Sequence, residues 1–338
     1  MKKVWIGWQI IKNKISHNLG TDNLLITRIR RFYSVEGGPA TSGSLKPSQR
    51  GSTPRPFAIH FGEQMGIKFT DPQIQHLMEY GDRDWSDMEF DDASDRDRQF
   101  SKEMSKTESA NDKGIKVLIR EPRRHDLAAL EARIAEKLIA RGFIEVRTPI
   151  IISTAALAKM TITPDHPLYK QVFFIDEKRC LRPMLAPNLY VVMRKLRDHT
   201  DGSVKIFEIG SCFRKESKSS RHLEEFTMLN LVDLGPEGDP IECLKDYIDD
   251  VMTSAGLEYE LVREESDVYK ETLDVEVNGM EVASGAVGPH VLDAAHDIHE
   301  PWSGVGFGLE RLLMLANGKS SVRKTGKSIT YLDGYKID

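Results

Sequence analysis

The sequence predicts an α+β fold in which an antiparallel β-sheet is flanked by helices, and three observations lead to it. Apolar residues recur at helical spacing in 126–141, 187–198 and 241–255. Other stretches alternate between apolar and polar residues, which is typical of half-buried strands. The turn Asn278-Gly279 joins two such stretches, and this dipeptide is a strong signal for a tight hairpin. Because strands and helices do not alternate regularly, the pattern does not favour a parallel βαβ array.

The composition is that of a globular protein without a global affinity for nucleic acid. The 338 residues carry a net charge of −5, so any contact with RNA must come from local basic patches. The three cysteines form no C-x-x-C pair, which argues against a disulfide scaffold or a zinc ribbon and favours a reducing cytoplasm. The apolar run 4–11 is too short to span a bilayer, so no membrane association is expected.

The first of three informative segments joins a helix to a strand. The helix 126–141 ends at Gly142, a residue that readily adopts the left-handed conformation that stops a helix. The stretch 143–148 alternates as a strand and ends at Pro149, which cannot donate to a β-ladder and therefore favours an edge or an interface. The predicted apolar face of the helix consists of Leu127, Leu130, Ile134 and Leu138.

The second segment is a hairpin with a long polar loop. Its arms, 207–216 and 224–230, both alternate between apolar and polar residues. Arg214 ends the first arm and can neutralise a phosphate, whereas Phe226 begins the return arm and can stack on adenine. Either residue alone would indicate surface charge or core, but the combination indicates a nucleotide site.

The third segment, 304–313, is a glycine-rich strand that runs into a helix. Gly304, Gly306 and Gly308 occupy alternate positions, so another group can approach the backbone closely on one face. Arg311 lies in the first turn of the helix, and a helix N-terminus beside an arginine favours a phosphate. The alternative is a strand packed under a helix, with Arg311 on the surface.

These three segments resemble, in chain order, the three signature motifs of the class II aminoacyl-tRNA synthetases. Within that class, residues 65–338 are similar to the pyrrolysyl-tRNA synthetases of the type that lacks a separate N-terminal tRNA-binding domain. The runs 181–190, 222–230 and 301–304 carry this closer resemblance. It implies the class II catalytic fold, ATP-dependent activation of pyrrolysine, and esterification of that amino acid to a pyrrolysine-specific, amber-suppressor tRNA.

The resemblance divides the chain into three parts. Residues 1–64 lie outside it and are expected to form a basic, linker-like extension that is disordered or foreign to the enzyme and dispensable for activity. A targeting presequence and a basic tRNA-binding arm are the alternatives for this segment. Residues 65–125 are expected to form a small helical part with a solvated, mobile acidic stretch at 82–98, and 126–338 the catalytic domain.

The resemblance also implies an ATP site. Arg214 is expected to hold the α-phosphate and Arg311 the γ-phosphate. In-line attack of a carboxylate on the α-phosphorus needs charge neutralisation and alignment, so Arg214, Glu216 and Arg311 are expected to act in catalysis without a catalytic histidine or nucleophile. The residues expected to bind ATP are Arg214, Glu216, His222, Leu223, Phe226, Glu281, Ser284 and Arg311.

Mg²⁺ is expected to bind together with ATP, through Glu281 and Ser284. These residues follow the strand 273–277 across the Asn278-Gly279 turn. Strict alternation would place them on opposite faces of the next strand. Both can face ATP only if the strand contains a bulge, and Gly285 permits one.

The amino-acid pocket is expected to be large, apolar and aromatic, with one amide. The residues expected to line it are Ala186, Leu189, Tyr190, Met193, Asn230, Val232, Tyr269, Ala286 and Trp302. The first four recur at i, i+3, i+4 and i+7 of one helix, the next two share a strand face, and the last three follow from the resemblance alone. Such a pocket suits a long side chain with a central amide, and its lack of basic residues argues against a phosphoseryl substrate.

The expected assembly is a homodimer, because the helix and the strand that ends at Pro149 resemble the elements that form the subunit interface across the class. Two other functions compete with this interpretation. Another class II enzyme, of phenylalanyl type, would share the ATP site and differ in the pocket, where Asn230 discriminates. A non-catalytic paralogue that binds RNA would usually lack a motif arginine or the metal carboxylate, and both are present here.

Overall fold

The computed structural model describes residues 66–216, 220–264 and 272–338. The expectations for 1–64 and for Tyr269 lie outside the described residues. The helices are α1 Asp71–Tyr80, α2 Ala93–Arg120, α3 Asp126–Ala140, α4 Thr154–Lys159, α5 Ala186–Arg197, α6 Pro240–Ala255 and α7 Leu309–Ala316. The 3₁₀ helices are Pro167–Gln171, Asp293–His296 and Val322–Lys324. The strands are β1 Ile67–Lys68, β2 Glu89–Phe90, β3 Ile144–Glu145, β4 Ile151–Ser153, β5 Arg179–Leu181, β6 Val204–Phe213, β7 Glu225–Leu234, β8 Glu260–Glu264, β9 Thr272–Val277, β10 Met280–Gly288, β11 Trp302–Gly308, β12 Tyr331–Leu332 and β13 Tyr335–Lys336.

A seven-stranded sheet forms the centre of the described structure. Its strand order is β3-β6-β7-β11-β10-β9-β8, and neighbours run antiparallel except for β3, which pairs parallel with β6. The predicted α+β class with an antiparallel sheet is therefore confirmed. The Asn278-Gly279 turn is also confirmed, since both residues have positive φ and join β9 directly to β10.

The strand predicted over 143–148 was wrong in its extent, because only Ile144–Glu145 belongs to the sheet. The ladder with β6 ends where a side chain replaces the backbone as hydrogen-bond partner. The Thr148 backbone N–H donates to the Glu208 carboxylate at 3.0 Å, and the Thr148 hydroxyl donates to the same carboxylate at 2.7 Å. Pro149 follows and cannot donate at all.

Helices pack on both faces of the sheet, and on one face they leave part of the sheet uncovered. The helix α3 buries the predicted apolar face and packs on α6 and α7. A Cβ placed on Gly285 would come within 3.1 Å of Leu244 in α6, so α6 covers the face to which Gly285 belongs. The opposite face carries Ser284 and Ala286 and is approached by α5, which packs on β6. The candidate site lies on that second face.

The acidic stretch 82–98 contains the strand β2 and the first residues of α2, and its expected mobility stays a prediction. Most of its side chains are exposed as expected, but Trp85 and Phe90 are buried in a small core against α1 and α2. Burial of two aromatic side chains outweighs the polar composition around them. At the start of the stretch, the Asp82 carboxylate accepts a hydrogen bond from Lys324 Nζ at 2.8 Å, which ties this part to the segment after α7.

No helix in the ranges described above is both long and apolar enough to cross a membrane.

Candidate active site

The floor of the site is a part of the sheet in which the strand β11 has glycines at three alternate positions. Gly304, Gly306 and Gly308 of β11 pair with Val232, Asn230 and Met228 of β7, so all six residues lie on the same face. A Cβ built on Gly308 would meet no atom within 4 Å. The alternating glycines therefore open a space above the backbone, as the sequence predicts.

A cavity that opens to solvent lies between this floor and α5, and its empty space together with the adjoining solvent is about 270 Å³. Its lining residues are Ala186, Leu189, Tyr190, Met193, Asn230, Val232 and Trp302. The structure thus brings together seven of the nine residues assigned to the amino-acid pocket. Of the other two, Ala286 does not line the cavity but pairs with Gly304 on the same face, and Tyr269 lies outside the described residues.

Asn230 supplies the polar group of this cavity. Its side chain is fully buried, and neither its amide nitrogen nor its amide oxygen has a hydrogen-bond partner among the described residues. A buried amide with both groups unsatisfied destabilises the folded chain by about 1–3 kcal/mol. A ligand that offers both an acceptor and a donor removes that cost.

A second cavity adjoins the end of the hairpin, and its empty space together with the adjoining solvent is about 450 Å³. Its lining residues are Arg214, Glu216, Arg221, His222, Leu223, Phe226, Gly308, Glu310, Arg311 and Val322. Six of the eight residues assigned to ATP are among them. The two that are not, Glu281 and Ser284, lie on the neighbouring strand β10.

Arg214 is held in the wall of this second cavity. Its Nε donates to the Pro183 carbonyl at 2.9 Å, and its guanidinium lies 5.0 Å from the centre of the Phe226 ring. Its Nη2 is buried and has no hydrogen-bond partner within the described ranges. One side of the guanidinium is thus fixed by the protein, and a buried donor is left for a ligand.

Arg311 projects from the first turn of α7, and its Nη1 donates to the Glu281 carbonyl at 2.6 Å. Burial lowers the pKa of Arg311, and burial together with the charge of Arg311 lowers the pKa of Arg214. Two desolvated cations that face one cavity are relieved by an anion between them. Burial also lowers the pKa of His222, so its ring is neutral near pH 7 and adds no further charge.

The bulge required by the magnesium assignment is present in β10, but not at Gly285. Glu281 pairs with Glu276 and Ala283 with Val275, so Val282 is the extra residue. This shift places Glu281 and Ser284 on the same face of the sheet. The Ser284 hydroxyl donates to the Asp274 carboxylate at 2.7 Å, which leaves the oxygen lone pairs of Ser284 available to a cation.

Glu310 is a residue of the second cavity that sequence reasoning missed. Both of its carboxylate oxygens accept the Thr227 backbone N–H, at 2.8 and 2.9 Å. Burial raises the pKa of Glu310 to about 7, against the smaller opposing effect of these hydrogen bonds. Its contact joins the helix α7 to the return arm β7. Its position next to Arg311 in the third segment was the only available signal.

Asp293 is the second residue that the sequence did not reveal. It begins the 3₁₀ helix Asp293–His296 and is 1% exposed. Its carboxylate accepts hydrogen bonds from two residues of the amino-acid cavity, Tyr190 at 2.7 Å and Trp302 at 2.8 Å. No local pattern marks it, because both partners are distant or belong to other elements.

The chain matches one family model over most of its length. The model is described as tRNA synthetases class II core domain (F), and it covers residues 113–332. Curated relatives match over shorter segments. A lysine–tRNA ligase of Ectopseudomonas mendocina is 35% identical over 120 residues, which are 34% of this chain and 21% of that protein. A threonine–tRNA ligase of Wolbachia pipientis is 32% identical over 98 residues, which are 28% of this chain and 15% of that protein. The chain thus spans about a fifth of the length of the curated relatives it matches.

Solved structures match over nearly their full length. A crystal structure of pyrrolysyl-tRNA synthetase from Desulfitobacterium hafniense has 46% sequence identity and a TM-score of 0.75, and the match covers 80% of this chain and 98% of that one. A second structure from that organism, of PylSc, a pyrrolysyl tRNA synthetase, has 44% identity and a TM-score of 0.75, with 81% and 99% covered.

Proposed function

The chain belongs to the class II aminoacyl-tRNA synthetases, in the family of the pyrrolysyl-tRNA synthetases, and we propose that it activates pyrrolysine with ATP and esterifies it to the cognate amber-suppressor tRNA. One observation carries the choice of substrate. The amide of Asn230, which has no partner among the described residues, lies in an otherwise apolar cavity, next to a cavity lined by the buried Arg214 and the partly buried Arg311. An amino acid with a long apolar side chain and one central amide is complementary to the first cavity, and a nucleotide phosphate to the second.

The lining of the first cavity argues against two other kinds of substrate. A free lysine ammonium would be buried there without a carboxylate from the described lining, because none of the lining residues that the structure describes is acidic. A phosphorylated side chain would require a cation, and the part of the lining within the described ranges contains neither Lys nor Arg. Pyrrolysine brings its amide without a net charge on that part of the side chain.

The proposed chemistry is in-line attack of the amino-acid carboxylate on the α-phosphorus of ATP, which forms the aminoacyl-adenylate and releases pyrophosphate. A terminal hydroxyl of the tRNA then attacks the carbonyl of the adenylate, and AMP leaves. Arg214 neutralises the α-phosphate where negative charge develops, Arg311 holds the γ-phosphate, and Phe226 stacks on adenine. Since the reaction consumes ATP and charges tRNA, we place it in the cytoplasm.

The residues of β10 fit a magnesium ion that enters with ATP. Mg²⁺ commonly binds through one or two protein oxygens together with substrate phosphates. The bulge at Val282 gives Glu281 and Ser284 a common face, which supports their assignment to the ion. Among the residues that the structure describes, no group of three acidic, histidine or cysteine side chains could form a cage made by the protein alone. When bound, the ion would neutralise charge on the phosphates.

We propose that the active unit is a homodimer formed through the first motif. The strand β3 is an edge strand of the sheet, with a partner on one side only in the described structure. Around it the side chains of Ile139, Ile144, Ile150 and Ile151 are between 42% and 57% exposed. Several large apolar side chains exposed within one short segment are typical of an interface.

Sedimentation equilibrium tests this assembly. We expect Ile144→Asp to weaken the dimer, because it would bury a charge between the subunits. The control Ile329→Asp changes an isoleucine that is 93% exposed and lies outside this segment, and the dimer should persist. A parent chain that is monomeric and fully active would contradict the proposal.

ATP–pyrophosphate exchange with a panel of amino acids tests the activity. We expect exchange with pyrrolysine and with lysine derivatives that carry a carbonyl at the same position, and none with lysine, phenylalanine or threonine. Exchange with phenylalanine alone would favour another class II enzyme. A folded chain that binds tRNA without exchange for any amino acid would favour the non-catalytic alternative.

A further inference from the structure

We propose that Asp293 is a positioning residue that fixes the distance between two walls of the amino-acid cavity and so restricts which side chains enter it; this inference rests on the proposed function. The carboxylate does not line the cavity. It lies behind the wall and connects two residues that do, Tyr190 of the helix α5 and Trp302 of the strand β11.

The geometry makes Asp293 the link between two separate elements. Its Oδ1 accepts the Tyr190 hydroxyl at 2.7 Å, and its Oδ2 accepts the Trp302 indole N–H at 2.8 Å. The backbone N–H of His290 donates to the same Oδ2 at 2.8 Å, which holds the carboxylate in this orientation. One side chain therefore sets the separation between α5 and β11 where both border the cavity.

The loop that carries Asp293 also packs against the wall from outside. The ring of His296 stacks on Tyr190 at a centroid distance of 4.2 Å and an angle of 19°. His290 contacts the edge of Trp302 at 5.4 Å, and its Nε2 lies 3.2 Å from Asp293 Oδ1. Burial lowers the pKa of both histidines, so both rings are neutral near pH 7. The Nδ1 of His290 accepts the Leu292 backbone N–H, so the proton of this ring is on Nε2, which lies 3.1 Å from the Tyr190 hydroxyl.

The physical consequence is that the two walls of the cavity, α5 and β11, are held at a fixed separation. Hydrogen bonds to an ionised, fully buried acceptor are short and strong, and each one restricts the side-chain rotation of its donor. Without the carboxylate, the Tyr190 hydroxyl and the Trp302 indole N–H would each lose this acceptor, and both rings would be less restricted in their rotation. The effect should fall on amino-acid binding and selectivity, because the ATP cavity shares none of these residues.

Pyrophosphate exchange by the full chain tests the inference, because KM for the amino acid and KM for ATP are measured separately. We expect Asp293→Ala to raise KM for pyrrolysine on the order of tenfold or more and to leave KM for ATP within about twofold. Asp293→Asn retains the shape and one acceptor oxygen, and its amide can donate to the Tyr190 hydroxyl, so it should recover most of the loss.

The matched control is Asp297→Asn. Asp297 lies four residues further along the same loop and is largely exposed. It pairs with Arg194 of α5, the helix that also carries Tyr190. It also has positive φ, which asparagine tolerates. We expect both KM values of this variant to match those of the parent. Equal rises in both KM values for Asp293→Ala, or an Asp293→Asn variant as impaired as Asp293→Ala, would mean a general structural role and overturn the proposal.

A second test, by NMR spectroscopy, requires neither a substrate nor a stable alanine variant. The sequence contains four tryptophans, and the indole resonance of Trp302 is the one that disappears in Trp302→Phe. In Asp293→Asn we expect this N–H resonance to move upfield, because a neutral amide accepts more weakly than a carboxylate. An unchanged resonance would overturn the link even if exchange were altered. Absence of exchange with pyrrolysine in the parent, with the resonance shift intact, would instead mean that the proposed function failed.

Discussion

Replacement of Asn230 by leucine should change stability and activity in opposite directions. The two side chains have similar shape, but leucine has no polar groups. In the ligand-free chain, the Asn230 amide is fully buried with both polar groups unpartnered among the described residues. Removing them should therefore stabilise the fold, although the residue belongs to the centre of the site.

The magnitudes follow from the cost of an unsatisfied buried polar group, about 1–3 kcal/mol. Asn230→Leu should gain roughly that amount in the free energy of unfolding. When an amide-containing substrate binds, the unsatisfied group is on the substrate instead, and the same cost of about 1–3 kcal/mol corresponds to roughly 5- to 150-fold in KM. The preference for amide-bearing over plain alkyl lysine derivatives should fall by the same factor.

Urea denaturation of the ligand-free chain and pyrophosphate exchange with a matched pair of substrates measure the two effects. The control is Met193→Leu, a volume-conserving exchange in the same cavity that changes no polar group and should retain the preference for the amide. A variant of Asn230 that is both less stable than the parent and unaltered in selectivity would refute the reasoning.

Three further predictions concern charged residues. Arg214→Ala and Arg311→Ala should each lower exchange on the order of a hundredfold or more while circular dichroism stays unchanged; rates within a few-fold of the parent would contradict their roles. Burial raises the pKa of Glu310 from 4.5 to about 7, so its contribution to stability is present below pH 4.5 and is lost as the pH rises to about 7. As the pH rises from 4.5 to about 7, the free energy of unfolding of Glu310→Gln should therefore rise relative to that of the parent, and above pH 7 the difference between them should stay constant. Urea titrations at several pH values measure this difference, and a difference that is the same at every pH would contradict the prediction. Burial alone would raise the pKa of Asp82, but the hydrogen bonds and charges of its partners, chiefly Lys324, outweigh it and lower that pKa below 3.8. Asp82→Asn should thus destabilise the chain near neutral pH by about 1–3 kcal/mol and lose this effect as the pH falls below 3.8, which the same titrations measure.

Local periodicity was sufficient for the parts of the site that belong to regular elements. The four cavity residues of α5 follow from a spacing of i, i+3, i+4 and i+7, and the floor follows from glycines at alternate strand positions. In both cases one element determines the direction of the side chains, so no knowledge of distant residues is needed. The same holds for the turn at Asn278-Gly279, whose backbone conformation is local.

Features that depend on two distant segments could not be predicted. The need for a bulge in β10 followed from counting residues, but its position at Val282 instead of Gly285 depends on the pairing with β9. The helix α2 is polar over most of its length, and its Asn111 side chain bonds to the Lys336 backbone, 225 residues away. Asp293 is recognisable only after α5 and β11 are placed beside it.

The lack of a side chain at Gly308 predicts that two kinds of mutational scan would give different results at this position. The φ of this residue is −93°, which any amino acid can adopt, and a Cβ would meet no protein atom within 4 Å. The space that it would enter belongs to the cavity assigned to ATP. An alanine at this position should therefore be almost silent in a mutational scan scored by cellular abundance, and deleterious in the same scan scored by suppression of amber codons. Such a difference between the two scans would show that a side chain at this position interferes with the ligand and not with folding.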